Sequence, residues 1–370
     1  MMYPTQKPGY SSTNLIGNSA TFILTAMDLL LIHPQAGHDI VDANGNTQGI
    51  LSRLFQAFQL LTCTRAINTP RQVKNVPPFP EYYTKRDPKV IPRGRFLIRE
   101  ATIAVWQFLV LDTVTALALR QAMNNQDEEQ SISSDPQLTN TGQRWTEQFI
   151  QTLVAWFVVS RVLIGFYYRV ASIICVSLGD SPLNSPPMIG RMAEIYTLRN
   201  FWGKFWHQML RLPLTSTSNF LARDVLGLPR SSFVERYANV FIVFFFSGLV
   251  HVVIDSLRNV SIKDLGTMSF FLSFVVGYII EDGVIALWKR TWESQNNSSP
   301  ARWQRALGFC WVITWLGVTS PWFFKSAIVK PEEQMILVPF SVAGLVGLPV
   351  LQSIVIGGGL VLKFVFETEI

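Results

Sequence analysis

The most constraining feature of the sequence is an almost wholly apolar run, from Val240 to Asp255, that carries one histidine near its end. A helix that crosses the hydrocarbon core of a bilayer needs about 20 apolar residues, and this run supplies most of them. An unpaired polar group in such surroundings costs about 2 to 7 kcal/mol. Ionisable side chains inside spanning helices therefore usually face a cavity and carry function. This pattern favours His251 as the reactive group of a chamber inside the membrane.

The composition is that of a membrane protein. Of the 370 residues, 49% are hydrophobic and 15% are charged, whereas a soluble domain carries about 25% charged residues. We expect an all-α, polytopic bundle of about seven to eight spanning helices, with interfacial amphipathic helices, that encloses a tunnel and forms one domain over 1–370. The predicted spans are 15–32, 96–119, 146–178, 240–255, 267–288, 306–324 and 340–363.

Charge predicts the orientation of the chain. The net charge is +6, but the Lys and Arg residues lie in loops between apolar runs, so no nucleic-acid partner is expected. The Pro-rich basic loop over 65–99 is predicted to be cytosolic and the acidic loop over 124–137 lumenal. An interfacial helix is expected over 50–67. Asn259 would be a lumenal glycosylation acceptor.

A second histidine, His207, lies in the aromatic and basic segment 198–211. The segment is not apolar enough to span, and its pattern predicts an amphipathic helix at the membrane interface. The aromatic residues alone would be an interfacial belt, and the basic residues alone would be topology determinants or headgroup contacts. These basic residues are Arg199, Lys204 and Arg211.

Other polar residues lie in or at the ends of apolar runs, where burial is costly. Ser247 and Asp255 lie four residues before and after His251, on the same helix face. Asp255 could accept a hydrogen bond from the imidazole and select its tautomer, or it could simply be the polar end of the helix. Buried carboxylates must be paired, protonated or in contact with water. We therefore expect Glu281 or Asp282 to line the chamber, with a packing role as the alternative.

Two motifs resemble a known family. The stretches FWGKFWHQMLR at 201–211 and FFFSGLVHVVID at 244–255 are similar to the wax synthase branch of the membrane-bound O-acyltransferases. Within that branch they most resemble fungal acetyltransferases that act on terpenoid and meroterpenoid alcohols. The branch carries FW-x-x-x-W followed by Asn or His, then SG-x-x-H. The matching positions are Phe201, Trp202, Trp206 and His207, then Ser247, Gly248 and His251.

The resemblance implies transfer of an acyl group from an acyl-CoA to a hydrophobic alcohol at the membrane, which we expect to be that of the endoplasmic reticulum. His251 would be the general base and His207 its partner, with Trp206 in support. The phosphates of CoA would contact Arg199, Lys204 and Arg211. Acetyl-CoA would be a cosubstrate, with no tightly bound cofactor and no metal. His251 lies near the lumenal end of its span, so either the CoA arm reaches deep or that helix sits lower.

Two alternatives remain at this point. A wax synthase would use the same chemistry to join a long acyl chain to a fatty alcohol, because acyl length depends on tunnel shape. A transporter would relay protons through His251, Glu281 and Asp282. Transporters often carry inverted repeats and broken paired spans, and the sequence shows neither. The motifs therefore favour an enzyme.

Overall fold

The computed structural model describes residues 21–32, 64–84, 90–131, 141–257, 266–292, 300–329 and 337–367. These parts of the chain contain six helices that are long and apolar enough to cross a membrane. The prediction of an all-α, polytopic membrane protein is confirmed. Of the first predicted span, 15–32, the described part contains a short apolar helix, Thr21–Leu30. The predicted helix over 50–67 lies almost wholly outside the described residues.

Seven helices organise the described structure, and α2 is continuous although its middle turns are π-helical. They are α1 Arg93–Ser131, α2 141–177, α3 Arg211–Asn219, α4 Phe233–Leu257, α5 Thr267–Trp292, α6 Arg302–Val329 and α7 Leu348–Phe366. Shorter α- or 3₁₀-helical turns are Glu81–Thr84, Pro182–Asn184, Met192–Glu194, Leu198–Asn200 and Ala343–Val346. The π-helical segments are Asp28–Ile32, Ala155–Ser160, Phe201–Phe205 and Phe220–Val225.

The spanning helices pack as neighbours around an aromatic core. Helix α4 packs against α5 and α3, α6 packs against α5 and α2, and α1 packs against α2 and α7. A Cβ at Gly248 would lie 2.9 Å from Sδ of Met268 and 3.3 Å from Cβ of Phe271. The missing side chain at Gly248 therefore permits the close approach of α4 and α5. The core is rich in Phe and Trp and includes Trp156, Phe201 and Phe270.

Two segments differ from the expectations. Helix α1 continues to Ser131 and thus contains the first half of the predicted acidic loop, because Gln and Glu are good helix formers even in polar sequence. The segment 198–211 is not an interfacial helix. Its short helical turns end at Trp206, whose ψ of 157° is extended, and Phe201 and Phe205 are fully buried. These aromatic side chains are buried in the protein core, which removes their apolar area from water without any contact with lipid.

Candidate active site

One face of α4 lines a cavity of about 450 Å³. The residues on this face are spaced four apart, one helical turn each: Asn239, Val243, Ser247 and His251. At a rise of about 1.5 Å per residue, the face extends about 18 Å along the helix. The cavity therefore follows about three turns of α4, from Asn239 near the start of the helix to His251.

The second wall of the cavity comes from the motif segment that precedes α3. Trp202, Trp206 and His207 line the cavity, so the structure brings the two predicted histidines together. Trp206 is held in place by Trp156 of α2, with ring centroids 4.7 Å apart. The indole Nε1 of Trp156 in turn donates a hydrogen bond of 2.8 Å to Oγ of Ser320 on α6.

The imidazole of His251 is enclosed by aromatic rings. It stacks on Phe271 with centroids 5.0 Å apart and planes 17° apart, and Phe323 meets it edge-on at 5.3 Å. Both rings also line the cavity. Stacking fixes the plane of the imidazole, and the apolar walls keep bulk water away from it.

The imidazole of His207 is partly buried beside the ring of Trp206, with centroids 5.3 Å apart. Its Nδ1 is buried and has no hydrogen-bond partner among the described residues. Burial, together with the neighbouring imidazole of His251, lowers the pKa of His207 to about 3. His207 is therefore neutral near pH 7, with one ring nitrogen that can donate and one that can accept.

This lowered pKa predicts a specific loss of stability in acid. Below the ordinary value of 6.5 the unfolded chain protonates His207, whereas the folded chain does so only near pH 3. Stability therefore falls as the pH is lowered between these values. We expect His207→Asn, which cannot titrate, to flatten this decline in the thermal midpoint of the detergent-solubilised protein measured from pH 7.5 to pH 4.5. An identical decline in both proteins would contradict the buried, neutral imidazole.

The carboxylate of Glu281 holds the start of the motif segment. It accepts hydrogen bonds from the backbone N–H of Leu198, at 2.6 Å, and of Arg199, at 3.4 Å. The indole Nε1 of Trp311 donates a third bond of 3.2 Å. Glu281 is not among the residues that line the described cavity. It therefore stabilises the position of the segment that carries His207, which is the packing role given above as the alternative.

Asp282 holds the same region through charge. Its Oδ2 accepts from Arg199 at 2.8 Å, Arg236 at 2.7 Å and the hydroxyl of Tyr237 at 2.7 Å. The three donors come from the motif segment and from α4, so Asp282 ties both cavity walls to α5. Like Glu281, Asp282 is absent from the described lining of the cavity.

The three basic residues of the motif segment divide into two groups. Arg199 and Arg211 line the cavity, and the guanidinium of Arg211 donates to the carbonyl of Gly203 at 2.5 Å. Lys204 instead forms an ion pair of 3.0 Å with Glu194 and is not part of the described lining. The structure thus keeps two of the three predicted CoA contacts at the cavity.

The remaining predicted residues are placed as follows. Ser247 lines the cavity, one turn from His251. Asp255 is buried, accepts a hydrogen bond of 2.9 Å from Oγ1 of Thr267 and does not appear in the described lining. Asn259 lies outside the described residues. No group of three His, Cys, Asp or Glu side chains is placed to hold a metal ion in the described part of the chain.

Two polar side chains of the cavity wall are notable: sequence reasoning missed Asn239 and identified Trp202 only as a position of the aromatic motif. Oδ1 of Asn239 and Nε1 of Trp202 are buried and have no hydrogen-bond partner among the described residues, and both residues line the cavity. Asn239 lies three helical turns before His251, so extending the four-residue spacing beyond Ser247 would have identified it. Trp202 belongs to the aromatic motif, but the motif does not separate its indole N–H from a core role.

The comparisons with known proteins agree with this geometry. The model of the Membrane bound O-acyl transferase family matches residues 185–273, which include the motif segment, α3, α4 and the start of α5. Acetyltransferase spyB of Aspergillus fumigatus is 36% identical over 94% of this chain, which spans 60% of the length of that protein. Acetyltransferase atnC of an Arthrinium species is 36% identical over 86% of this chain and 73% of its own length.

A third relative, Acetyltransferase cdmC of Talaromyces verruculosus, is 35% identical over 89% of this chain and 79% of its own length. No solved structure matches the chain. The predicted family is confirmed by these matches, and with it the class of acyl-transferring membrane enzymes. This chain belongs to the Membrane bound O-acyl transferase family.

Proposed function

We propose that the protein transfers an acetyl group from acetyl-CoA to a hydroxyl of a hydrophobic alcohol, of the terpenoid or meroterpenoid type found in fungal secondary metabolism. The observation that carries the proposal is the pair of histidines lining one cavity that also contains several aromatic side chains. The names of three similar proteins, all acetyltransferases, support acetyl as the group transferred. The multi-pass architecture suits an acceptor that partitions into lipid, and the endoplasmic reticulum is the membrane we propose.

In this proposal His251 is the general base. A hydroxyl is a weak nucleophile near pH 7, and a neutral imidazole within hydrogen-bond distance can take its proton during attack. The alcohol oxygen bonds to the thioester carbonyl carbon, the carbon–sulfur bond then breaks, and the proton held by His251 passes to the departing thiolate. Esterified alcohol and CoA-SH leave, and His251 is neutral again. The ring stack on Phe271 supports this role because it fixes the direction of the ring nitrogens.

The neutral His207 and the indole of Trp202 are placed to stabilise the negative charge that develops on the thioester oxygen. Both residues line the cavity, and each has a buried side-chain nitrogen that lacks a hydrogen-bond partner in the described structure. One well-placed donor to such an oxyanion is worth about 3 to 4 kcal/mol. Asn239, three turns away, is too distant along α4 for that role and suits contact with the donor arm or the alcohol.

The test is an assay of the purified protein in lipid nanodiscs with acetyl-CoA or palmitoyl-CoA, each offered with a panel of terpenoid alcohols and with a fatty alcohol. Mass spectrometry identifies the ester, and a thiol reagent measures released CoA. We expect ester only from acetyl-CoA and a polycyclic alcohol. Turnover restricted to palmitoyl-CoA and the fatty alcohol would show a wax synthase. Proton-coupled flux in proteoliposomes without any ester would show a transporter.

A further inference from the structure

A second cavity, of about 610 Å³, adjoins the histidine cavity and is strongly basic. Its lining contains five cationic side chains and one carboxylate, Asp224. The cationic residues come from three separate parts of the chain: Arg71 and Lys74 before α1, Arg211 on α3, and Arg223 and Arg230 between α3 and α4. We refer to this space as the basic cavity.

Helix α3 forms a wall common to both cavities. Arg211, Thr215 and Asn219, spaced four apart on one face of α3, line the basic cavity and the histidine cavity alike. The loop that carries Lys74 is fixed against the motif segment, because the amide of Gln208 donates to the carbonyl of Asn75 at 2.7 Å. The basic cavity is therefore positioned by the same residues that position His207.

The positive charge of the basic cavity is only partly neutralised. Arg71 pairs with Asp28 at 2.6 Å, and Arg223 pairs with Glu235. Lys74 and Arg230 are exposed, and neither forms an ion pair with a described residue. Converging cations with open hydrogen-bond donors, beside the hydroxyl of Thr215 and the amide of Asn219, form a site typical for phosphate groups.

We propose that the basic cavity binds the phosphate groups of the acyl-CoA nucleotide, and that the pantetheine arm passes the shared face of α3 to reach His207 and His251. This inference rests on the proposed function. It assigns Lys74, Arg223 and Arg230 to the site that binds acyl-CoA, although the motifs indicate none of them. Lys204, which the motifs did indicate, is not part of this site. It also accounts for the depth of His251, because the arm runs down the Asn239 face of α4 over about 18 Å.

The experiment measures binding of desulfo-CoA, an unreactive CoA analogue, to the full-length protein in phosphatidylcholine nanodiscs by isothermal titration calorimetry. The variant is Lys74→Ala/Arg230→Ala, and the matched control is Lys289→Ala, an exposed lysine outside both cavities. Loss of charge-assisted hydrogen bonds to phosphate is expected to raise the Kd of the double variant about tenfold or more. Adenosine 3′,5′-bisphosphate should compete with desulfo-CoA in the wild type.

The outcomes separate the inference from the proposed function. If the wild type does not bind desulfo-CoA, the proposed acyl-CoA dependence fails. If the wild type binds and the double variant binds equally well, the basic cavity is not the phosphate site, although the proposed function stands. If binding requires phosphatidic acid in the nanodisc and adenosine 3′,5′-bisphosphate does not compete, the cavity holds a lipid headgroup and the inference is overturned. Weakened binding in the double variant alone supports it.

Discussion

Replacing His251 with alanine is expected to lower kcat for acetyl transfer by about 10² to 10⁴-fold, the usual contribution of a general base. The physical reason is that alanine leaves no side chain at the position of the His251 imidazole to accept the proton of the alcohol during attack. Binding of desulfo-CoA should be almost unchanged, because the proposed phosphate contacts lie in the basic cavity. The kinetic assay and the calorimetric titration together distinguish a chemical role from a structural one.

The matched control for this variant is Val253→Ala on the same helix. Val253 is 44% exposed and faces away from the described cavity, so its truncation should leave kcat within about twofold, as expected for a surface position. Should His251→Ala keep wild-type kcat, or should its loss of activity be matched by an equal loss of folded protein, the proposed base would be wrong.

Adding one methyl group at Gly190 is expected to have a large structural effect at the site. A Cβ at this position would lie 2.1 Å from the carbonyl oxygen of Lys204, a backbone atom that cannot move aside alone. The N–H of Gly190 also donates to the carbonyl of Phe205 at 2.8 Å. Overpacking in a tight core costs about 1 to 3 kcal/mol and occasionally more. Gly190→Ala should therefore displace the motif segment, lower the thermal midpoint and abolish acetyl transfer.

Gly283→Ala is the control, because a Cβ there would meet no atom within 4 Å. We expect wild-type stability and activity for this variant. Equal thermal midpoints for Gly190→Ala and the wild type would show that the motif segment does not need its contact with Gly190.

The long helices were predictable because their signal is local. Each apolar run is long enough to span, and it can be recognised from its own residues without knowing which distant residues it contacts. The course of 198–211 was not predictable in the same way. Its Trp and Phe residues satisfy an interfacial pattern equally well, and only the packing of Trp156 against Phe201 makes the segment part of the core.

The site was predictable where its residues share one helix. Ser247 and His251 follow from a four-residue spacing, and the rarity of a histidine in lipid marks one of them. The function of Glu281 was not predictable, because its hydrogen bonds go to backbone N–H groups 83 and 82 residues away. Any residue type can supply a backbone N–H, so the sequence of the partner segment does not indicate this contact. The basic cavity was missed for a similar reason, since its cations come from three parts of the chain.

The π-helical turns of the cavity wall have a consequence for changes in chain length. A π turn holds one residue more than the α-helix around it, and Ala155–Ser160 interrupts α2 in this way while contributing Trp156 and Ser160 to the cavity. A deletion elsewhere in a spanning helix would rotate the remainder by about 100°. A deletion within this turn would instead restore a regular α-helix. The parts of α2 before and after the turn would keep the faces they present to neighbouring helices, and only the wall of the histidine cavity would change. The loss of one residue here can therefore change the shape of the cavity without changing which faces of α2 meet its neighbours.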